Sequence, residues 1–270
     1  MRTRRLTTAG LGVVATLALA LTGCAGTTTT GSSTSESGAE AGTEAGAASD
    51  QDDAREALTA AAAKLNEDTV RVAMTLAMGA DGSMEATGAM DPANRRGRFE
   101  IHVAVDGELM KIEMIMLEQD MYLQLAGDEM AELADVWMHI DRSKLPEGSS
   151  FDMMPQDDPA GAEDMVRDLI DIEWTGDDTL AGTIDMTKSP TADPEMIDAL
   201  GEGADSVPFT ATLDDEGRLV EMIIETSSLA SEMGDMETRY SGFGEPVDVQ
   251  APTDGEIMPL PDAMLGMFDA

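Results

Sequence analysis

From Thr69 to Ile140 apolar residues fall on every second position. In 69–78 they are Val70, Val72, Met74, Leu76 and Met78; in 98–105 Phe99, Ile101, Val103 and Val105; in 109–117 Met110, Ile112, Met114 and Met116. The segment 83–90 (Met84, Ala86, Met90), then Met121, Leu123 and Leu125, then Val136, Met138 and Ile140 continue the alternation. A period of two over so many segments predicts half-buried antiparallel strands with one face inward. Turn chemistry at Asp81-Gly82, Asp91-Pro92 and Asp106-Gly107 separates them. The result is a meander of about six strands. Ahead of it, Leu58, Ala61, Ala62 and Leu65 fall on one face at helical spacing, and Asp52 or Asp53 caps that helix.

A Pro-, Gly- and Asp-rich break from Pro146 to Gly161 follows the meander. Met165, Val166, Leu169 and Ile170 predict a short helix, and strands follow at 172–174 and 180–186. Asp193 caps another short helix running to Leu200, and the last strands are 207–213, 219–226 and 236–240. The chain thus has two unequal halves, each pairing a helix with later strands, without a clear internal repeat. A proline-rich tail from Glu245 should be extended, with the apolar segment Met264–Phe268 docking back on the domain.

The N-terminus changes the picture from a folded domain to an exported one. Arg2, Arg4 and Arg5 precede an apolar run from Leu11 to Leu21 and then Leu21-Thr22-Gly23-Cys24. That order is expected of a secretory signal peptide. The run is too short for a membrane span, which needs about 20 residues. Cys24 is the single cysteine of the chain, and its context predicts cleavage before it and lipidation on it. The segment from Ala25 to Ser49 is Thr, Ser, Gly, Ala and Glu without a large apolar residue. Such a segment cannot offset its chain entropy by burial, so it is expected to act as a flexible tether with a reach of roughly 30 Å. With one Cys, itself modified, no internal disulfide is expected.

The formal net charge is −38, from 54 acidic and 16 basic residues. Nucleic-acid binding needs clustered Lys and Arg, so no nucleic-acid partner is expected. The acidic runs Asp157-Asp158, Asp177-Asp178 and Asp214-Asp215-Glu216 lack the spacing of a calcium loop and are read as solvated turns. The 22 methionines outnumber the two Trp, two Tyr and five Phe together. Thioethers select Cu(I), but Met110, Met114 and Met116 share strand parity with Ile112, which assigns them to the core. No metal and no cofactor are therefore expected. His102 and His139, the only histidines, fall opposite their apolar neighbours and should face outward. Trp137 and Trp174 are read as packing or rim residues. The sequence has no Gly-x-Ser-x-Gly, no His-Glu-x-x-His and no phosphate loop. No catalytic residue is assigned, and the protein is not expected to be an enzyme.

With these elements in place the chain resembles the actinobacterial lipoproteins of the LppX/LprG type. The segments that carry the resemblance are Ala57-Leu58-Thr59-Ala60-Ala61, Asp106-Gly107-Glu108-Leu109-Met110-Lys111, Val136-Trp137-Met138-His139-Ile140 and Asp215-Glu216-Gly217-Arg218-Leu219-Val220. The resemblance implies an α+β fold: a curved antiparallel half-barrel like the LolA lipoprotein carrier, with helices covering its concave face. It also implies a cavity for lipid or glycolipid acyl chains. Where carriers have an enlarged pocket, this chain has methionine, which can line an adaptable cavity or fill it.

The expected organisation is a signal peptide at 1–23, lipidated Cys24 and tether at 24–51, the half-barrel at 52–244 and the tail at 245–270. The expected location is the extracytoplasmic face of the cell membrane, held by lipid on Cys24. Two functions stay open: a carrier of a hydrophobic ligand, and an interaction module that binds another envelope protein and has no cavity. In a carrier Val72, Met74, Leu76, Ile101, Val103, Ile112 and Met114 would line the cavity; in either case they face inward.

Overall fold

The computed structural model describes residues 43–79, 82–105, 107–127, 135–144, 154, 158–188, 203–229, 233–253 and 257–260. The expected signal peptide, Cys24, the helix at 193–200 and the docking segment 264–268 lie outside the described residues.

A helix, α1 (Thr43–Glu67), leads into the meander β1 (Val70–Ala77), β2 (Ser83–Asp91), β3 (Arg96–Val105), β4 (Glu108–Met116), β5 (Asp120–Gly127) and β6 (Trp137–Asp141). These are the strands that the alternation predicts. A short helix α2 (Ala162–Arg167) opens the second half, followed by β7 (Leu169–Trp174), β8 (Thr179–Ile184), β9 (Val207–Leu213), β10 (Leu219–Ile224) and β11 (Met236–Ser241). The last described element, β12 (Ile257–Pro259), lies in the tail. The strand order is β12-β6-β5-β4-β3-β2-β1-β11-β10-β9-β8-β7. Pairing of β1 with β11 therefore joins the two halves into one open, curved sheet. Among the described strands only β12 runs parallel to its neighbour, β6.

α1 packs on β7, β10 and α2. Its Ala54, Leu58, Ala61, Ala62 and Leu65 are buried with Val70, Met90, Phe209, Leu219 and Met222 in the largest core. Arg55 Nη2 fixes the helix by donating to the carbonyls of Leu169 and Ile170, both at 3.1 Å. A second core gathers Met114, Met116, Met121, Leu123, Leu125, Met138 and Ile140 with Met154 and Leu260. Arg95 and Arg142 each donate to the Met154 carbonyl, at 3.3 and 2.9 Å, and tie that residue to the sheet.

Three expectations need revision. The helix expected to include Leu169 and Ile170 ends at Arg167, and both residues belong to β7. The register of β7 against β8 shifts between Leu169 and Asp171. This irregularity puts the buried residues at Leu169 and Ile172, a spacing of three that imitates a helix. Second, α1 begins at Thr43, inside the stretch expected as tether; Ala-rich sequence with good helix formers extends the helix backward. Third, the expectation of half-buried strands with one face inward does not hold throughout β4–β6, where residues of the outward face are buried too. Ile115, Tyr122 and Trp137 are buried there beneath Val249, with Val247 and Ile257 alongside. The tail thus docks through these residues and through β12, whose end is held by the Leu260 amide donating to the His139 carbonyl at 3.1 Å.

Candidate functional site: the inward face of the first meander

Register brings all seven predicted residues onto one face, in rows that cross the strands. The first row is Val70, Met90, Gly97, Met116, Met121 and Ile140. The second is Val72, Gly88, Phe99, Met114, Leu123 and Met138. The third is Met74, Ala86, Ile101, Ile112 and Leu125, and the fourth Leu76, Met84, Val103, Met110 and Gly127.

Burial falls steadily from the first row to the fourth. Every residue of the first row is buried. In the second, Met114, Leu123 and Met138 are buried, and Val72 and Phe99 are half-buried. In the third only Leu125 is buried, and in the fourth all five residues are half-buried. Val105, beyond Val103 on the same face of β3, is 48% exposed.

The seven predicted residues therefore divide. Val72 packs against the α1 core, Ile112 against the methionine core, and Met114 belongs to the latter. Met74, Leu76, Ile101 and Val103 join none of the three cores of described residues. Met84 and Met110 belong with them by register and were passed over as site candidates, although their parity was visible in the sequence. These six make a continuous apolar patch whose closed end is the Phe99 row. The Phe99 ring lies across Gly88, where a Cβ would stand 2.4 Å from Phe99 Cδ1. Glycine at position 88 is what lets the ring lie there and floor the patch.

Charge on these strands lies on the opposite face, except at Glu108, which pairs with Val105 beyond the Leu76 row. Lys111 Nζ lies 2.7 Å from both Glu100 and Glu113, and Arg98 Nη2 lies 2.8 Å from Glu113. Hydrogen bonds from His102 and Lys111 hold Glu100 below the usual carboxylate range. The bond from Lys111, joined by that from Arg98, does the same for Glu113 against its burial. His102 pairs with Glu100 at 2.8 Å and His139 with Asp120 at 2.6 Å, on the outward side that parity predicts. The inward patch carries no titratable side chain, so apolar contact is the interaction it offers.

Other clefts differ in kind. One of about 660 Å³ lies between α1 and the β9–β10 turn and is lined by Trp174, Asp177, Asp178, Asp214 and Asp215. Lys64 Nζ spans it to the Glu216 and Gly217 carbonyls at 2.5 and 3.1 Å. Another, of about 610 Å³, lies between the tail at Pro246–Asp248 and the outward residues Arg71, Thr87, Arg98 and Glu100. Among the described residues no group of three His, Cys, Asp or Glu is placed to hold a metal ion. No described helix is long and apolar enough to cross a membrane.

No family model matches the chain, and no curated protein matches it in sequence. Solved structures similar to it include the following two. A DUF1329 family protein from Desulfovibrio piger is 14% identical, over 73% of this chain and 95% of that one, with a TM-score of 0.28. A LolA superfamily protein from Nitrosomonas europaea is 13% identical, over 78% of this chain and 96% of that one, with a TM-score of 0.25.

Proposed function

We propose that the protein is a lipid-anchored extracytoplasmic protein of the LppX/LprG kind that binds a lipid or glycolipid by its acyl chains, without catalysis. The observation that carries this reading is the burial gradient. An apolar face is packed shut at the Val70 row and left half-buried at the Leu76 row. Acyl chains laid on Met74, Leu76, Met84, Ile101, Val103 and Met110 would leave water and gain about 25 cal/mol per Å² buried. Methionine, unbranched and flexible, suits a surface that accepts chains of differing length. Lipid on Cys24 would hold the domain at the membrane surface, since more than one acyl chain gives stable anchoring. The negative charge would keep the rest of the domain off anionic headgroups.

The test is native mass spectrometry, with lipid extraction, on the protein purified from the membranes of an actinobacterial host. Near-stoichiometric lipid is expected, and so is its loss in Ile101→Asp and Val103→Asp, which put a charge on the patch. Cys24→Ser should move the protein from the membrane to the soluble fraction. A lipid-free mass with no uptake from added membrane lipids would overturn the carrier reading and favour the interaction module.

A further inference from the structure

Five methionines surround Leu76 on the inward face. Met74 and Met78 stand two positions to either side of it along the chain, and Met84 is directly opposite on β2. On the other flank the ladder that pairs Thr75 with Glu237 puts Met236 beside Leu76. Met233 bridges to Met78. All five are half-buried. The methionines that do fill space behave differently: Met116, Met121, Met138 and Met154 are 0% exposed. Of the five around Leu76 only Met236 also packs against the α1 core. Shared parity with a core residue therefore does not make these side chains core, and core packing does not account for them as it does for Met114 and Met116.

The backbone beneath the group is fixed. The Gly234 amide donates to the Ala77 carbonyl and the Met78 amide to the Gly82 carbonyl, both at 2.9 Å. Thr226 Oγ1 donates to the Gly234 carbonyl at 2.5 Å. The strands approach so closely that a Cβ at Gly82 would stand 2.1 Å from the Met78 carbonyl oxygen, and one at Gly234 2.8 Å from Ala77 Cβ. Residues opposite one another on paired strands have their Cβ atoms about 5 Å apart. A methionine side chain has three rotatable bonds, so sulfurs from three sides can meet over Leu76. By register the other neighbours are Ala86, Ile101, Val103 and, opposite Met74, Thr238; the Thr238 hydroxyl, a hard donor, is the one side-chain oxygen or nitrogen among them.

We propose that Met74, Met78, Met84, Met233 and Met236 form a thioether site for a soft monovalent cation, Cu(I). Neutral sulfur donors suit Cu(I), whereas calcium and magnesium take oxygen ligands, and zinc takes thiolate, imidazole or carboxylate. The net charge of −38 draws cations to the molecule as a whole. The site does not depend on the lipid reading, because it uses sulfur where that reading uses apolar area.

The test is an anaerobic titration of the full chain carrying Cys24→Ser, which removes the one thiol, against a chromophoric Cu(I) chelator. One Cu(I) per chain should be withdrawn from the chelator, and Zn(II) and Ca(II) should not compete. Loss of an outer-shell partner in a metal site already weakens binding about 10- to 100-fold, so Met84→Leu with Met236→Leu should weaken it at least that much. Met114→Leu with Met138→Leu, in the other core, should leave it unchanged. X-ray absorption on the Cu(I)-loaded Cys24→Ser protein should show a shell of sulfur alone, a result that does not require the double variant to fold. No withdrawal of Cu(I), a shell of oxygen or nitrogen, or undiminished affinity in a folded Met84/Met236 variant would each overturn the site. Lipid retention is read on the same samples by mass spectrometry, so failure of either proposal is visible without the other.

Discussion

Gly88→Ala tests how the floor of the apolar face is built. The added Cβ would meet Phe99 Cδ1 at 2.4 Å, Phe99 Cε1 at 2.8 Å and the Arg98 carbonyl oxygen at 2.8 Å. The ring cannot turn freely, because Phe99 packs against both the α1 core and the methionine core. The carbonyl belongs to β3, whose ladder with β2 runs unbroken from Ser83 to Asp91. Overpacking of this kind costs about 1–3 kcal/mol. Replacing a strand glycine by alanine returns about 0.5–1 kcal/mol of backbone entropy. The net expectation is a loss of about 1–2 kcal/mol, read as a lower urea midpoint at unchanged slope. Phe99→Leu removes the ring that the methyl strikes. In that background Gly88→Ala should cost less, with a coupling of at least about 0.5 kcal/mol. Gly176→Ala is the control, since its nearest atoms lie at 3.6 Å, and it should stay within about 0.5 kcal/mol of wild type. If Gly88→Ala is neutral, or its cost is the same with and without the Phe99 ring, the account of this floor is wrong.

Two further predictions probe the ends of the sheet. Asp91 is buried, and although desolvation raises its pKa, hydrogen bonds from Arg96 and Asn94 outweigh it and hold the carboxyl below its ordinary 3.8. A depressed carboxylate stabilises the fold above its unfolded pKa, and that stability is lost as pH falls through the folded value. Asp91→Asn should therefore cost about 1–3 kcal/mol at pH 7, and its deficit against wild type should shrink in urea melts below pH 4; a deficit independent of pH would refute the assignment. Val249→Asp puts a charge over Ile115, Tyr122 and Trp137 and should undock the tail. The emission of Trp137, isolated in a Trp174→Phe background, should then shift to the red and tail proteolysis should quicken; unchanged emission and unchanged cleavage would contradict the docking.

Strand parity made most of the sheet legible, because an antiparallel strand with one wet face writes its inward side at every second residue. It reads β1 to β6 and the face of all seven candidate residues. It fails at β7, where a register shift spaces buried residues as a helix would, and in the tail, whose few apolar residues follow no period. Above all, parity says which way a residue points and not what lies over it. Met74 and Met114 are the same residue type on the same face, yet Met114 is 6% exposed within a core and Met74 is half-buried outside every core described. The difference is set far away in sequence, by α1 seated on β7 and β10 and by Met154 and Leu260 brought over β4–β6. A 25-residue helix is about 37 Å long, and twelve strands are about 53 Å across. No placement of α1 alone could cover such a sheet. Among the described residues the fourth row of the inward face, from Leu76 to Gly127, is half-buried throughout, and both proposed sites lie at that end of β1, β2, β3 and β4.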